Sequence, residues 1–479
     1  MRLFFLFFLA CFAHLVAQDR INQSIVQIKS TKNEYDYESP WSPPMVGRAF
    51  GSGFVISGNR ILTNAHVVSN ASFIEVRSSH SGQWYEAQVK LAGHDCDLAL
   101  LEVIGEGFFE GKKPLEFGDA LARQEDEVTV LGFPVGGKEL SVSKGVISRI
   151  EIGSYSHSGS TLLMSQIDAP VNPGNSGGPV ISDGKVVGVI HQGVSNSQNI
   201  GYMIPLPIIM HFLEESERGE YLGFPSGVLK AQPIRNPAMR AYYGLKDGGG
   251  LLIYNISKQH HFSDVLEVGD ILLSIDGHEI DSSGWVKVQD LDVALPFQYL
   301  LMMKHYGERA ELGVLRKGEL LMLEGTLKPV KKDAQFEFEE FDKAPSYFVT
   351  GGLVFQPLIL NLLSDSDTMG SKTFFELFYH IYNHREEDGE VVVLSRILDD
   401  VVNVGYQHLE HKVVKRANGE KIKSLKHLVE IYERLEEERL VLTLQGGAEI
   451  ILDLSSIKHR NPFICKRYLI HHDRSEDLR

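Results

Sequence analysis

Between residues 21 and 207 the chain is a succession of short apolar runs closed by glycine, asparagine or aspartate, with no helical period among them. No other feature constrains the fold as much. The runs at 24–29, 53–56, 73–77, 127–131, 142–150 and 186–191 are too short for amphipathic helices. Many strands at such spacing indicate an all-β sandwich or barrel. A loop with Pro40, Pro43 and Pro44 interrupts the series at 35–45. At 207–215 the apolar spacing becomes helical, and the charged segment 214–220 reads as a linker.

The length of 479 residues suggests about three domains. A second unit occupies 221–330 and a third 344–460, whose patterned part ends near Leu454 before a polar tail. The two share a weak repeat. Each has an apolar strand, a tight turn (Asp276-Gly277 or Asn418-Gly419), a return strand ending on Ile280 or Ile422, a helix-like stretch and a later alternating strand.

The amino terminus joins Arg2 to an apolar run, with small Ala17 before polar Gln18-Asp19-Arg20. This is the layout of a cleavable secretory signal at 1–17, which predicts a mature protein in the periplasm or secreted. A net charge of -16 disfavours a non-specific nucleic-acid partner, because phosphate contacts need Lys and Arg. The phosphate-binding loop G-x-x-x-x-G-K-[ST] is missing from the sequence, so nucleotide use is not expected. The three cysteines, Cys11, Cys96 and Cys465, make neither a disulfide framework nor a zinc spacing. The pairs His260-His261 and His471-His472 read as solvated, and neither a metal nor another cofactor is expected.

The sharpest local signal is Asn172-Pro173-Gly174-Asn175-Ser176-Gly177-Gly178-Pro179-Val180. A serine needs a base before it can attack a carbonyl. Flanking glycines let the backbone turn tightly and aim N–H groups into a site. The segment Gly174, Asn175 and Ser176 is therefore a candidate oxyanion hole, with the N–H groups of Gly174 and Ser176 foremost. The base candidate is His66, in Thr63-Asn64-Ala65-His66-Val67-Val68 after an apolar strand. The orienting acid is Asp97, directly before the run Leu98-Ala99-Leu100-Leu101, with Asp95 as a near neighbour.

Gly174-Asn175-Ser176-Gly177-Gly178 also fits the G-x-S-x-G elbow of α/β-hydrolases, but that fold places a helix after the serine and the order serine, acid, histidine. Here a β-hairpin pattern follows, and the order is His66, Asp97, Ser176, as in chymotrypsin-like double barrels.

Together with Gly51-Ser52-Gly53-Phe54, Leu131-Gly132-Phe133-Pro134, Gly145-Val146-Ile147-Ser148 and Ile200-Gly201-Tyr202-Met203-Ile204-Pro205, these motifs resemble the HtrA/Deg family of serine proteases, most closely its plant type with two PDZ-like domains. The resemblance implies a mainly β protein with some α. A chymotrypsin-like double β-barrel protease domain at 19–213 would be followed by two PDZ-like α+β domains. It implies an ATP-independent serine endopeptidase acting on misfolded or unfolded proteins, with His66 as base, Asp97 as orienter and Ser176 as nucleophile. It also implies that Val171 and Ile200 line the primary specificity pocket, which predicts cleavage after small or medium apolar residues. For the first PDZ-like domain it implies capture of peptide carboxyl termini by Ser226, Gly227 and Val228, with Tyr221-Leu222-Gly223-Phe224 as a rival loop. Assembly as a homo-oligomer, trimer-based or larger, follows from the same likeness. The alternative is a chaperone or adaptor of the same fold with little hydrolysis.

Overall fold

The computed structural model describes residues 21–79, 82–135, 137, 139–193, 200–225, 229–245, 248–256, 260–288, 293–329, 339–364, 370–382 and 389–479. The predicted leader and the predicted loop Ser226, Gly227 and Val228 lie outside these residues. The chain divides into two compact units, residues 1–32 with 48–330, and residues 33–47 with 331–479.

In the first unit, β1 (Ile25–Glu34), β2 (Met45–Ile56), β3 (Arg60–Thr63), β4 (Ala71–Ser78), β5 (Tyr85–Gly93) and β6 (Leu98–Val103) close a barrel in the order β1-β2-β3-β6-β5-β4. A second barrel, β10-β11-β12-β9-β8-β7, is made by β7 (Glu127–Gly132), β8 (Ser141–Ser154), β9 (Thr161–Ile167), β10 (Pro179–Ser182), β11 (Lys185–Gly193) and β12 (Gly201–Pro205). The expected double barrel is present. Closure removes the unpaired edges that short strands would otherwise expose. Val26, Ile28, Val55, Ile61, Val76 and Leu101 fill the first barrel, and Val128, Val130, Ile147, Ile167, Val180 and Ile190 the second. Burying each such side chain stabilises by about 1.5–3 kcal/mol, so branched residues in short strands are what this closure requires.

Helix Leu206–Glu217 follows the second barrel. The predicted linker 214–220 is in part the last turn of this helix, and Glu215 is buried rather than solvated. Its Oε1 lies 2.6 Å from Nδ1 of His305, a residue of the next domain. That domain is an antiparallel sheet containing Leu229–Pro233, Leu251–Ile256, Ile271–Ile275, Arg309–Arg316 and Glu319–Thr326. Its helix Pro237–Tyr242 is capped by Asn236, whose side chain accepts from the N–H groups of Ala238 and Met239. His260 and His261 are buried, contrary to their solvated reading. His261 Nδ1 sits 2.8 Å from the Lys328 carbonyl, and burial pushes His260 down to about 4. His471 and His472 are exposed.

The second unit repeats this plan with Phe348–Thr350, Leu353–Pro357, Val392–Ile397, Lys412–Ala417, Arg439–Leu444 and Glu449–Asp453, plus helix Leu425–Glu433. The repeated hairpin is present in both domains. Asp276 and Gly277 have φ of 47° and 77°, Asn418 and Gly419 of 46° and 79°, the positive pair that a two-residue hairpin turn demands. The stretch after Leu454 is not a polar tail. It forms helix Leu454–Arg467, buries Ile457, Ile464 and Ile470, and bridges back through Arg474 to Phe348. The proline-rich loop also has a place in this unit: Trp41 Nε1 donates to the Tyr468 carbonyl at 3.0 Å, and Tyr37 packs with Ile359 and Leu362. Among the described residues no helix is long and apolar enough to cross a membrane.

Candidate active site

The pairing of β3 with β6 sets Leu62 opposite Leu100 and Thr63 opposite Ala99. The chain beyond Thr63 therefore meets the chain before Ala99 at one end of the barrel. There the short helix Ala65–Val68 carries His66, and Asp97 stands at the start of β6. Asn64 Nδ2 donates to the Asp97 carbonyl at 2.9 Å, which fixes the two segments together. Asp97 has φ of 53°, a left-handed conformation costing about 1–2 kcal/mol that aspartate tolerates better than most residues.

The Asp97 carboxylate is fully engaged. Oδ1 accepts the backbone N–H of His66 at 2.7 Å, and Oδ2 lies 2.7 Å from His66 Nδ1. Burial pushes this carboxyl upward, but the field of His66 and the ring N–H bonds of His191 and His66 outweigh it and hold the group well below the usual carboxylate range. Asp97 is thus an acceptor only. Asp95, its sequence neighbour, serves another purpose: Tyr221 Oη donates to it at 2.5 Å and the Phe224 N–H at 3.0 Å. Burial raises the Asp95 carboxyl, partly offset by the Tyr221 and Phe224 bonds. The rival PDZ loop, 221–224, is therefore turned toward the first barrel, with Phe224 buried and stacked on His211.

Ser176 precedes β10 in a turn braced by both barrels. Ser52, fully buried on β2, is the brace: its N–H donates to the Ser176 carbonyl and its Oγ to the Gly174 carbonyl, each at 2.8 Å. Ser52 Oγ also accepts the Phe133 N–H at 2.8 Å. Two glycines are obligatory. At Gly174 φ is 98° and an added Cβ would fall 2.4 Å from the Phe133 carbonyl oxygen; at Gly177 φ is 83° and it would fall 2.2 Å from that of Ser52.

The peptide planes of this turn are fixed by their carbonyls. Pro173 O accepts from the Val135 N–H at 2.8 Å and Asn175 O from the Gly178 N–H at 2.9 Å. A trans peptide points its N–H opposite its C=O, so the N–H groups of Gly174 and Ser176 face the other way, and neither donates to any described residue. Asn175 differs. Its N–H closes the turn onto Asn172 O at 3.0 Å and is not available to a ligand, a correction to its inclusion with the oxyanion donors. Ser176 Oγ makes its hydrogen bond to the His191 carbonyl at 3.5 Å.

His191 on β11 is the group that the sequence reading missed. Its Nδ1 lies 2.7 Å from the same Asp97 Oδ2. The one hint in the sequence was a polar residue ending the apolar run Val186-Val187-Gly188-Val189-Ile190. His157, half-buried beside His94 and 6.1 Å from His66 between ring centroids, is pushed by desolvation down to about 3 and stays neutral. Val171 packs on Gly201, next to Ile200, where an added Cβ at Gly201 would meet Val171 Cγ2 at 2.5 Å.

Among the described residues, two groups place metal-ligating atoms within 4.8 Å of one another, His66 with Asp97 and His191, and His211 with Glu215 and His305. In the first, hydrogen bonds already join the three side chains. In the second, the His211 and His305 rings stack at 4.2 Å with planes 15° apart, so their lone pairs lie in separate, nearly parallel planes and do not converge on one point.

Family profiles match on both sides of the chain: a trypsin-like peptidase domain at residues 51–189 and a PDZ domain at 337–477. The second match covers the third unit read from the sequence, 344–460. The chain is 39% identical to the putative protease Do-like 3, mitochondrial, of Arabidopsis thaliana, over 96% of this chain and 81% of that protein. It is 35% identical to Protease Do-like 2, chloroplastic, of the same plant, over 95% and 75%. The chain belongs to the HtrA/Deg family. It is a serine-type endopeptidase, and the HtrA/Deg double barrel is also seen in a solved structure of the HtrA-type protease AlgW with a tripeptide. That structure has a TM-score of 0.51 at 23% identity, over 65% of this chain and 95% of that one. Gly51-Ser52-Gly53-Phe54 and Leu131-Gly132-Phe133-Pro134 supply the braces that hold the Ser176 turn.

Proposed function

We propose that this HtrA/Deg protease hydrolyses unfolded or misfolded proteins without nucleotide, using Ser176 as nucleophile, His66 as general base and Asp97 as its orienter. The observation that carries this reading is the Asp97 carboxylate, bound at 2.7 Å to both the ring and the backbone of His66 beside the Ser176 turn. Acceptor-only Asp97 fixes the proton of His66 on Nδ1 and leaves Nε2 as the base. Ser176 Oγ turns about its Cα–Cβ bond from the His191 carbonyl to that nitrogen, loses its proton and attacks the scissile carbonyl. The N–H groups of Gly174 and Ser176 receive the oxyanion. His66 then protonates the leaving amine, and water repeats the sequence on the acyl-enzyme.

Val171 and Ile200 bring no charge to the proposed specificity pocket, which supports cleavage after small or medium apolar residues. The first PDZ-like domain is proposed to capture peptide carboxyl termini by strand addition, and the chain to work as a trimer-based or larger homo-oligomer. The leader-like start supports an extracytoplasmic compartment, and the organellar names of the relatives support an organelle as its counterpart.

Purified mature protein is expected to digest reduced, unfolded casein at equal rates with and without ATP, and to spare a stable folded protein. Mass spectrometry of the fragments should place most cuts after Val, Ala, Ile or Leu. Suppressed aggregation without any cleavage would give the chaperone reading the advantage.

A further inference from the structure

Asp97 Oδ2 takes two imidazole N–H bonds, from His66 Nδ1 and His191 Nδ1, both at 2.7 Å. His191 and Asp97 are both buried, and the His191 ring lies against that of Tyr155 with centroids 4.6 Å apart. An ionised carboxylate can only accept, so each ring carries its proton on Nδ1. For His66 this leaves Nε2 free as a base. For His191 it leaves Nε2 buried and without a hydrogen-bond partner among the described residues. A proton there would be a buried donor with no acceptor among the described residues, which is costly. His191 therefore gives a hydrogen bond without becoming a second base. Its main-chain carbonyl also receives Ser176 Oγ at 3.5 Å. One residue thus touches the acid through its ring and the nucleophile through its backbone.

We propose that His191 is a positioning residue of the proteolytic centre, clamping the Asp97 carboxylate so that His66 is held in register with Ser176. With Oδ1 bound to the His66 N–H and Oδ2 bound to two rings, the carboxylate cannot turn about its Cβ–Cγ bond. Without His191, buried Oδ2 keeps the His66 ring as its sole donor, and its remaining lone pair is left to seek another donor. Any turn of the carboxylate carries the His66 ring with it, and small misplacements of a base are expensive in rate. This inference rests on the triad roles proposed above.

The test compares His191→Phe and His191→Asn in the full mature chain on a quenched peptide copied from a casein cleavage site. Phenylalanine fills the ring space on Tyr155 and donates nothing; asparagine puts an N–H where Nδ1 stood. His191→Phe should lower kcat about tenfold with KM within about twofold, the loss of one hydrogen bond to a charged group. His191→Asn should recover to within about threefold of the parent. The low-field proton spectrum should show two Nδ1–H signals in the parent and one in His191→Phe, a readout that packing alone does not move. Unchanged kcat in His191→Phe, equal impairment of both variants, or a single low-field signal in the parent would overturn the assignment. If Ser176→Ala still cleaves, the triad reading falls. If Ser176→Ala is dead while His191→Phe is unaffected, only the role of His191 falls.

Discussion

Ser176→Ala should lose about six orders of magnitude in kcat on unfolded casein while melting within a degree or two of the parent protein. The two halves of this expectation come from different atoms. The hydroxyl is the proposed nucleophile, so nothing replaces it in the acyl transfer. Structurally it does little: its hydrogen bond to the His191 carbonyl is long, at 3.5 Å, and the turn is braced through the Ser176 carbonyl and Ser52. A variant that unfolded would point to a misread brace, and one that kept activity would point to a different nucleophile.

Asp97→Asn should lower kcat by about 10⁴ and, unlike the serine variant, should also destabilise the domain. The carboxylate accepts three N–H groups, from the His66 backbone and from the His66 and His191 rings. An amide cannot do this. With its oxygen toward the His66 N–H, its NH₂ group faces both rings. Each ring must then move its proton to Nε2, which removes the base and leaves a buried donor on His191. With the amide reversed, the NH₂ group opposes the His66 backbone N–H. Either way a buried donor goes unsatisfied, a cost of about 1–3 kcal/mol. Thermal melts beside peptide hydrolysis read both effects; an unaltered melt would show that the site relaxes more than its burial suggests.

What could be read from the sequence was what the local chain dictates. Tight turns announce themselves because Asp276-Gly277 and Asn418-Gly419 must adopt positive φ wherever they fold. The serine turn did so too, since Gly174 and Gly177 leave no room for a side chain. Chain order and the hairpin after Ser176 decided between two hydrolase folds. What could not be read depends on which strands meet when a barrel closes. Ser52 is one small residue among 45 glycines and many serines until β2 brings it between Gly174 and Phe133. His191 sits 94 residues from Asp97, and nothing in its neighbours signals a carboxylate. Charged and imidazole residues misled for the same reason: Glu215 and His261 look solvated until a distant partner, His305 or the Lys328 carbonyl, is folded against them. The carboxy-terminal stretch looked like a tail because Ile457, Ile464 and Ile470 are spread thinly among polar residues, yet each finds the core.

Activation of Ser176 by the His66–Asp97 pair is the step on which the proposed hydrolysis depends. Its most direct test is a fluorophosphonate that labels only an activated serine, followed by peptide mapping of the full mature chain. One phosphonyl group on Ser176, lost in Asp97→Asn under the same exposure, is the predicted result. A label on another serine, or none from a preparation that digests casein, would contradict it.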